Sequence, residues 1–142
     1  MTPAEIKAML LKMNNDFWHK QDLDEVYKIY ADEFIFHRPP FPSVEGRQAN
    51  RASDAGMLAA FSEIHSTCEE IIVEGQTAAM RWTWQAVHSG TSPSLGIPPS
   101  GKQVQFSGCS VYHFRDDLLV EQWEFGDYLG LLQQMGVIPA MG

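Results

Sequence analysis

Two acidic residues three positions apart, Glu124 and Asp127, close the last strand-like run of the chain, Leu118-Leu-Val-Glu-Gln-Trp-Glu-Phe-Gly-Asp127. A carboxylate held on a strand inside a small apolar domain suits proton transfer, because desolvation raises its basicity toward the neutral range. The two acids have different local surroundings. Asp127 stands directly before Tyr128-Leu-Gly-Leu-Leu, where its side chain can accept backbone N–H groups as a helix N-cap. Capping holds a carboxylate in its ionised form and makes it a poor proton acceptor. Glu124 lies mid-strand between aromatic neighbours with no backbone role to occupy it, which makes it the better candidate base; Asp127 stays a candidate beside it.

Strand alternation predicts Leu119, Glu121, Trp123 and Phe125 on one face and Val120, Gln122 and Glu124 on the other. The preceding strand offers Glu124 either His113 or Tyr112. A two-residue turn at Asp116-Asp117 sets His113 opposite Val120, whereas a bulged turn sets Tyr112 opposite Gln122, and spacing leaves both open. Trp82, Trp84, Trp123, Met57 and Met80 are the large, adaptable side chains suited to an apolar cavity wall, catalytic or simply ligand-binding.

Several other chemistries find no support in these residues. His19, His37, His65, His88 and His113 are scattered, and no Cys/His spacing suits a metal. There is no phosphate-cradling glycine loop and no Gly-x-Ser-x-Gly elbow. A formal charge of −8 with only 10 Lys and Arg argues against nucleic acid as a partner. No basic amphipathic stretch points to a membrane surface, no apolar run reaches spanning length, and the first residues lack a signal-peptide layout. Cys68 and Cys109, far apart and without metal spacing, read as buried thiols in a reducing compartment, so a cytoplasmic location is expected.

The elements that must position the acids follow from periodicity. At 142 residues, with 20% charged and 11% aromatic residues, a single domain over 1–142 is expected. Thr2, Pro3 and Glu5 form a capping box ahead of Ile6, Met9, Leu10, Met13 and Phe17 at helical spacing. A short second helix is predicted from Asp22, presenting Val26, Ile29 and Tyr30, and a third from Gly46 to about Phe61, weakened by Gly56. Phe34–His37 reads as a brief strand halted by Arg38-Pro-Pro-Phe-Pro42. Beyond residue 63 the pattern is antiparallel: Ile64–Val73, Thr77–His88, Gln103–Phe114 and the run from Leu118, with a Gly/Ser/Pro loop over Ser89–Gly101. Helices first and a meander after is an α+β order.

Gly96-Ile-Pro-Pro-Ser-Gly-Lys102, Phe106-Ser-Gly108, Val120-Glu-Gln-Trp-Glu-x-x-Asp127 and Leu132-Gln-Gln-Met-Gly136, with Phe36-His-Arg-Pro39 and Gly46-Arg-Gln-Ala49, together resemble the SnoaL-like polyketide cyclases of the nuclear transport factor 2-like superfamily. The resemblance implies a cone: a strongly curved antiparallel sheet wrapped around three N-terminal helices, with an internal pocket. It also implies cofactor-free acid/base chemistry, an intramolecular aldol cyclisation or related proton abstraction next to a carbonyl. The family's acid, three residues before the aspartate that precedes the last helix, falls on Glu124, and a polar residue before the N-terminal proline falls on His37 or its neighbour. Sheet residues near the acid fall at Gln122 and around Ser110–His113. No metal or organic cofactor is expected, and the partners expected are a small apolar carbonyl compound and a second copy covering the outer sheet face as a homodimer. The alternative is a non-catalytic binding module of the same fold.

Overall fold

The chain enters its fold through a helix capped at its start. In the computed structural model, which describes residues 1–91 and 96–141, α1 spans Pro3–Asn14; Thr2 Oγ1 accepts from Glu5 N and Glu5 Oε2 accepts from Thr2 N. Ile6 and Leu10 on its inner side are fully buried. One π-helical turn, Asn15–His19, carries Phe17 into the core before α2, Leu23–Val26, starts at Asp22, whose side chain accepts from Glu25 N.

Among the described residues the sheet has six strands in the order β2-β1-β6-β5-β4-β3. They are β1 Tyr30–Arg38, β2 Phe41–Glu45, β3 Phe61–Glu74, β4 Thr77–His88, β5 Gln103–Arg115 and β6 Leu118–Gly126. Two expectations need correction. The strand over Phe34–His37 begins four residues earlier, and the prolines that follow do not end the sheet: Pro39 and Pro40 make a turn into β2. Pro42 sits within β2 because β2 is an edge strand, where a missing N–H costs no ladder bond. The sheet is also mixed rather than purely antiparallel, since β1 runs parallel to β6 while every other pairing is antiparallel.

Curvature comes from extra residues in single strands. β3 carries one against β4 between Ser62 and His65 and another between Cys68 and Glu70, each bending the strand locally. The third predicted helix is α3, Arg47–Ala60, with Gly46 at its start, and it packs against β1. A fourth, α4, Tyr128–Gln134, packs on β5. Its Gln134 accepts from Gln105 N and donates to Gln105 O, both at 2.7 Å. Pairing between β5 and β6 ends at Gly108–Gly126, so the Gln134 amide satisfies backbone groups of β5 that β6 no longer reaches.

The β5–β6 turn has two residues, with Asp116 in the left-handed region (φ 56°), yet Tyr112 and not His113 faces Glu124's side of the sheet. A bulge explains both. His113 pairs with Glu121 and Phe114 with Leu119, leaving Val120 unpaired, so the register slip lies within β6 and not in the turn. The same bulge turns Leu119 away from the face predicted for it and buries it completely in the core. Of the loop between β4 and β5, residues 92–95 lie outside the described residues.

Candidate active site

A cavity opens inside the curve of the sheet, lined by Gln122 and Glu124 of β6, Tyr112 and Ser110 of β5, Met80, Trp82 and Trp84 of β4, Arg38 of β1, Asn50, Asp54 and Met57 of α3, and Tyr128 of α4. Its volume is about 130 Å³, close to the ~150 Å³ of an apolar cavity that holds a benzene ring. Trp82 and Trp84 each meet Phe106 edge-on, at 5.1 and 5.4 Å between ring centroids, giving the cavity a rigid aromatic wall. Gly108 makes room for this wall: a Cβ there would stand 2.6 Å from the Trp82 ring and collide with the Phe125 carbonyl.

Glu124 projects into this space. Burial pushes its carboxyl above the ordinary range, while the Tyr128 O–H donated to Oε2 and the charge of Arg38 pull part of the way back. Tyr128 is held firmly as the donor, since burial and the adjacent carboxylate raise its own hydroxyl far above its usual value. Arg38 lies over the rings of Phe41 (5.1 Å), Phe36 (5.7 Å) and Tyr128 (5.9 Å), so aromatic faces frame the guanidinium at the cavity.

A second carboxyl faces the same cavity from the helical side. Asp54 Oδ2 accepts from Tyr27 O–H and from Asn50 Nδ2 (3.3 Å), and Asn50 Nδ2 also reaches Tyr27 Oη at 2.6 Å. Burial raises Asp54 to about 7; the Tyr27 hydrogen bond and Arg38 oppose that rise, and the Glu124 charge adds to it. Both residues are half-buried and line the cavity. Arg38 is the one cation among the described lining residues against two carboxyls, so electrostatics favour one ionised acid and one neutral acid.

The predicted site residues divide between the two faces of the sheet. Glu124, Gln122, Tyr112, Trp82, Trp84, Met57 and Met80 line the cavity. His37, His113, Trp123 and Asp127 do not. His37 lies on the outer face, where Nε2 meets Glu121 Oε2 at 2.8 Å, Nδ1 meets Ser43 Oγ at 2.9 Å, and the ring stacks on Trp123 at 3.9 Å. Alternation along β1 forces this: Phe36 and Arg38 point inward, so His37 between them points out. Trp123 follows Glu121 to that face and stacks on Phe125. His113, paired with Glu121, sits beside Thr77 Oγ1 at 3.4 Å. Asp127 accepts from Gly130 N at 2.9 Å as the N-cap of α4.

The matching family model, described as SnoaL-like polyketide cyclase, covers residues 8–135. The chain belongs to the SnoaL-like polyketide cyclase family. Solved structures of similar shape include AclR from Streptomyces galilaeus, named as a candidate hydroxylase (25% identity, TM-score 0.84, covering 99% of this chain and 87% of that one). A candidate SnoaL-like polyketide cyclase from Jannaschia sp. CCS1 superposes at TM-score 0.86 with 22% identity, over 98% of both chains. A protein of ketosteroid isomerase-like fold from Catenulispora acidiphila, solved with trimethylamine, shares the fold at TM-score 0.73 and 12% identity, over 97% of this chain and 96% of that one. No curated protein matches the sequence. Among the described residues of this SnoaL-like chain, no group of three or more His, Cys, Asp or Glu is placed to hold a metal ion, and no helix is long and apolar enough to cross a membrane.

Asp54, Asn50, Tyr27 and Tyr128 were not expected here, whereas Arg38 is a neighbour of His37 that the resemblance left open. A signal for two of them was present: Asn50, Asp54, Met57 and Phe61 recur at i, i+4, i+7 and i+11, so two polar residues share the stripe that meets the core. Polar residues on a buried stripe require partners, and Tyr27 is that partner.

Proposed function

We propose that this SnoaL-like protein is an enzyme that removes a proton next to a carbonyl in a small, largely apolar compound, with Glu124 as the base and without metal or organic cofactor. The observation that carries this reading is a desolvated carboxylate on a strand, directed into an aromatic cavity and accepting the Tyr128 hydroxyl. Glu124 takes the α-proton, and the electron pair left on carbon becomes the enolate. In a cyclase that enolate carbon attacks a second carbonyl of the same molecule and closes a ring. Tyr112 and Gln122, beside Glu124 on the sheet wall, orient the substrate. A cavity near the size of a benzene ring favours a single-ring compound or one that folds to that size.

A plain binding module would need only the apolar wall. The convergence of Glu124, Tyr128, Arg38 and Asp54 on one cavity favours turnover over storage. The test is hydrogen–deuterium exchange of the α-protons of acetophenone in D2O, followed by NMR, with wild type against Glu124→Gln. Equal exchange rates would remove Glu124 from the mechanism and leave the binding module. Assembly is proposed alongside: Trp123 and the exposed Phe125 on the outer sheet face suit a second copy. A monomer by light scattering at micromolar concentration would end that reading. Free Cys68 and Cys109 suit the cytoplasm.

A further inference from the structure

Asp54 is a half-buried acid at the cavity that the proposed base chemistry does not by itself require. Its location carries a structural cost. A carboxyl placed among Tyr27, Tyr30 and the α3 backbone loses hydration, and the two donors it receives both enter on the same oxygen. The direction of those bonds is informative. Asn50 Nδ2 donates to Tyr27 Oη, and Tyr27 Oη donates to Asp54 Oδ2, so Oδ2 is committed as an acceptor. With Oδ2 accepting from both donors, a protonated carboxyl in that setting carries its own proton on Oδ1. Asn50 is itself 2% exposed, and its Oδ1 finds no protein partner among the described residues while its Nδ2 serves Tyr27 and Asp54. The amide is therefore oriented by Asp54 and Tyr27 rather than by its own full satisfaction.

We propose that Asp54 is the second catalytic group of this site, a neutral carboxylic acid on α3 that donates a proton to the substrate oxygen while Glu124 on β6 accepts the α-proton. The inference rests on the proton-abstraction reading above and adds to it the group that handles oxygen. In the aldol case the balance is as follows. The α-C–H proton moves to the Glu124 carboxylate, and the C–H electron pair forms the enolate and then the new C–C bond. The π pair of the attacked carbonyl moves onto its oxygen, which takes the Asp54 proton and remains on its carbon as the product hydroxyl. Glu124 ends protonated and Asp54 ionised, and one proton returning from Glu124 to Asp54 through solvent after release resets the pair with no net proton consumed. The substrate class this selects has two oxygen functions, one beside the acidic C–H and one that becomes the hydroxyl.

The groups facing Asp54 set the pH range over which it can donate. Tyr27 precedes β1, Tyr30 and Arg38 belong to β1, Asn50 and Arg51 to α3, Glu124 to β6 and Tyr128 to α4; Arg51 is turned over the Tyr27 ring at 5.7 Å and paired with Asp24. Below neutrality Asp54 is a donor to a carbonyl oxygen; above it, it repels one.

The experiment compares acetophenone with ethylbenzene, two ligands of one shape of which only the first has an acceptor oxygen, by quenching of tryptophan fluorescence between pH 6 and 8.5. The expected result for wild type is tighter binding of acetophenone at pH 6, on the order of 10-fold, an advantage lost by pH 8.5. Asp54→Asn keeps an N–H donor at every pH, so its acetophenone advantage should persist at pH 8.5. Glu124→Gln removes a charge that raises Asp54, so its pH profile should keep its shape and move to lower pH. The proposal is overturned if acetophenone and ethylbenzene share one pH profile in wild type, if Asp54→Asn keeps the wild-type profile, or if Glu124→Gln abolishes it. Exchange of the acetophenone methyl protons, read on the same samples in wild type and Glu124→Gln, separately reports whether Glu124 is the base. Loss of the binding profile with Glu124-dependent exchange intact sinks the Asp54 role, whereas Glu124-independent exchange sinks the base assignment.

Discussion

Glu121 and Glu124 are the same side chain on the same strand, three residues apart, and the sheet gives them opposite chemistry. Glu121 faces outward, paired with the His37 imidazole at 2.8 Å beside the Trp123 ring and partly open to solvent. Glu124 faces inward, enclosed by protein, with Tyr128 and Arg38 as its polar company. An odd separation along a strand is enough to separate a surface His–Glu contact from a candidate base. Residue type alone is therefore a weak guide to role, because what shifts a carboxyl is the medium its strand face meets.

The sharpest way to break that contrast is to neutralise each acid in turn. Glu124→Gln is expected to slow exchange of acetophenone α-protons by ~10²–10⁴-fold, the usual worth of a positioned base, while Glu121→Gln changes it less than about 2-fold. A comparable loss in both would show that strand face does not decide function here.

Asp54 extends the comparison from rate to stability. Its folded value near 7 lies above its ordinary value, so between about pH 4 and 7 the folded protein binds the proton more tightly than the unfolded chain. Stability supplied by that proton is present at acid pH and lost as pH rises toward 7, the reverse of an ion-paired aspartate. Asp54→Asn should therefore stabilise the protein by ~1–3 kcal/mol at pH 8 relative to wild type and less at pH 5, as read from urea midpoints at the two pH values. A destabilised Asp54→Asn at pH 8 would mean that the carboxylate is paired better than burial implies.

Tyr128→Phe removes a donor that favours the charged form of Glu124. The acid limb of the exchange rate should then move up by about 1 pH unit, equivalent to a hydrogen bond to charge of ~1.4 kcal/mol. An unmoved limb would assign the acid limb to another group. The smallest effect is expected at the acid that sequence placed beside Glu124. Asp127→Ala should cost ~1 kcal/mol of stability through the lost cap on α4 and leave exchange per folded molecule near wild type; a thermal melt with a rate measurement on the same sample checks both.

Much of this was legible in one dimension. The capping box at Thr2 and Glu5, the α3 span, the β4 bounds, the cap at Asp127 and the shared face of Gln122 and Glu124 all follow from short-range chemistry and from period-two alternation. What was left open or missed shares a cause. Register between Tyr112 and His113 depended on a bulge at Val120, a local choice of hydrogen bonding that leaves no residue-type signature. β2 was hidden by its prolines, which only an edge position tolerates, and edge position is a property of the whole sheet. His37 was expected inside, yet the inward turn of Phe36 and Arg38 places it outside.

By itself, the sequence determined which carboxylate is free of a backbone task, because helix capping acts over three residues and is written in the local order of Asp127, Tyr128 and Gly130. Only the tertiary structure decided what that carboxylate meets. Asp54, 70 positions earlier by residue number, comes to the same cavity because α3 lies against the concave side of a sheet whose bulges curve it inward. The desolvation that raises both acids belongs to that enclosure and to neither residue alone.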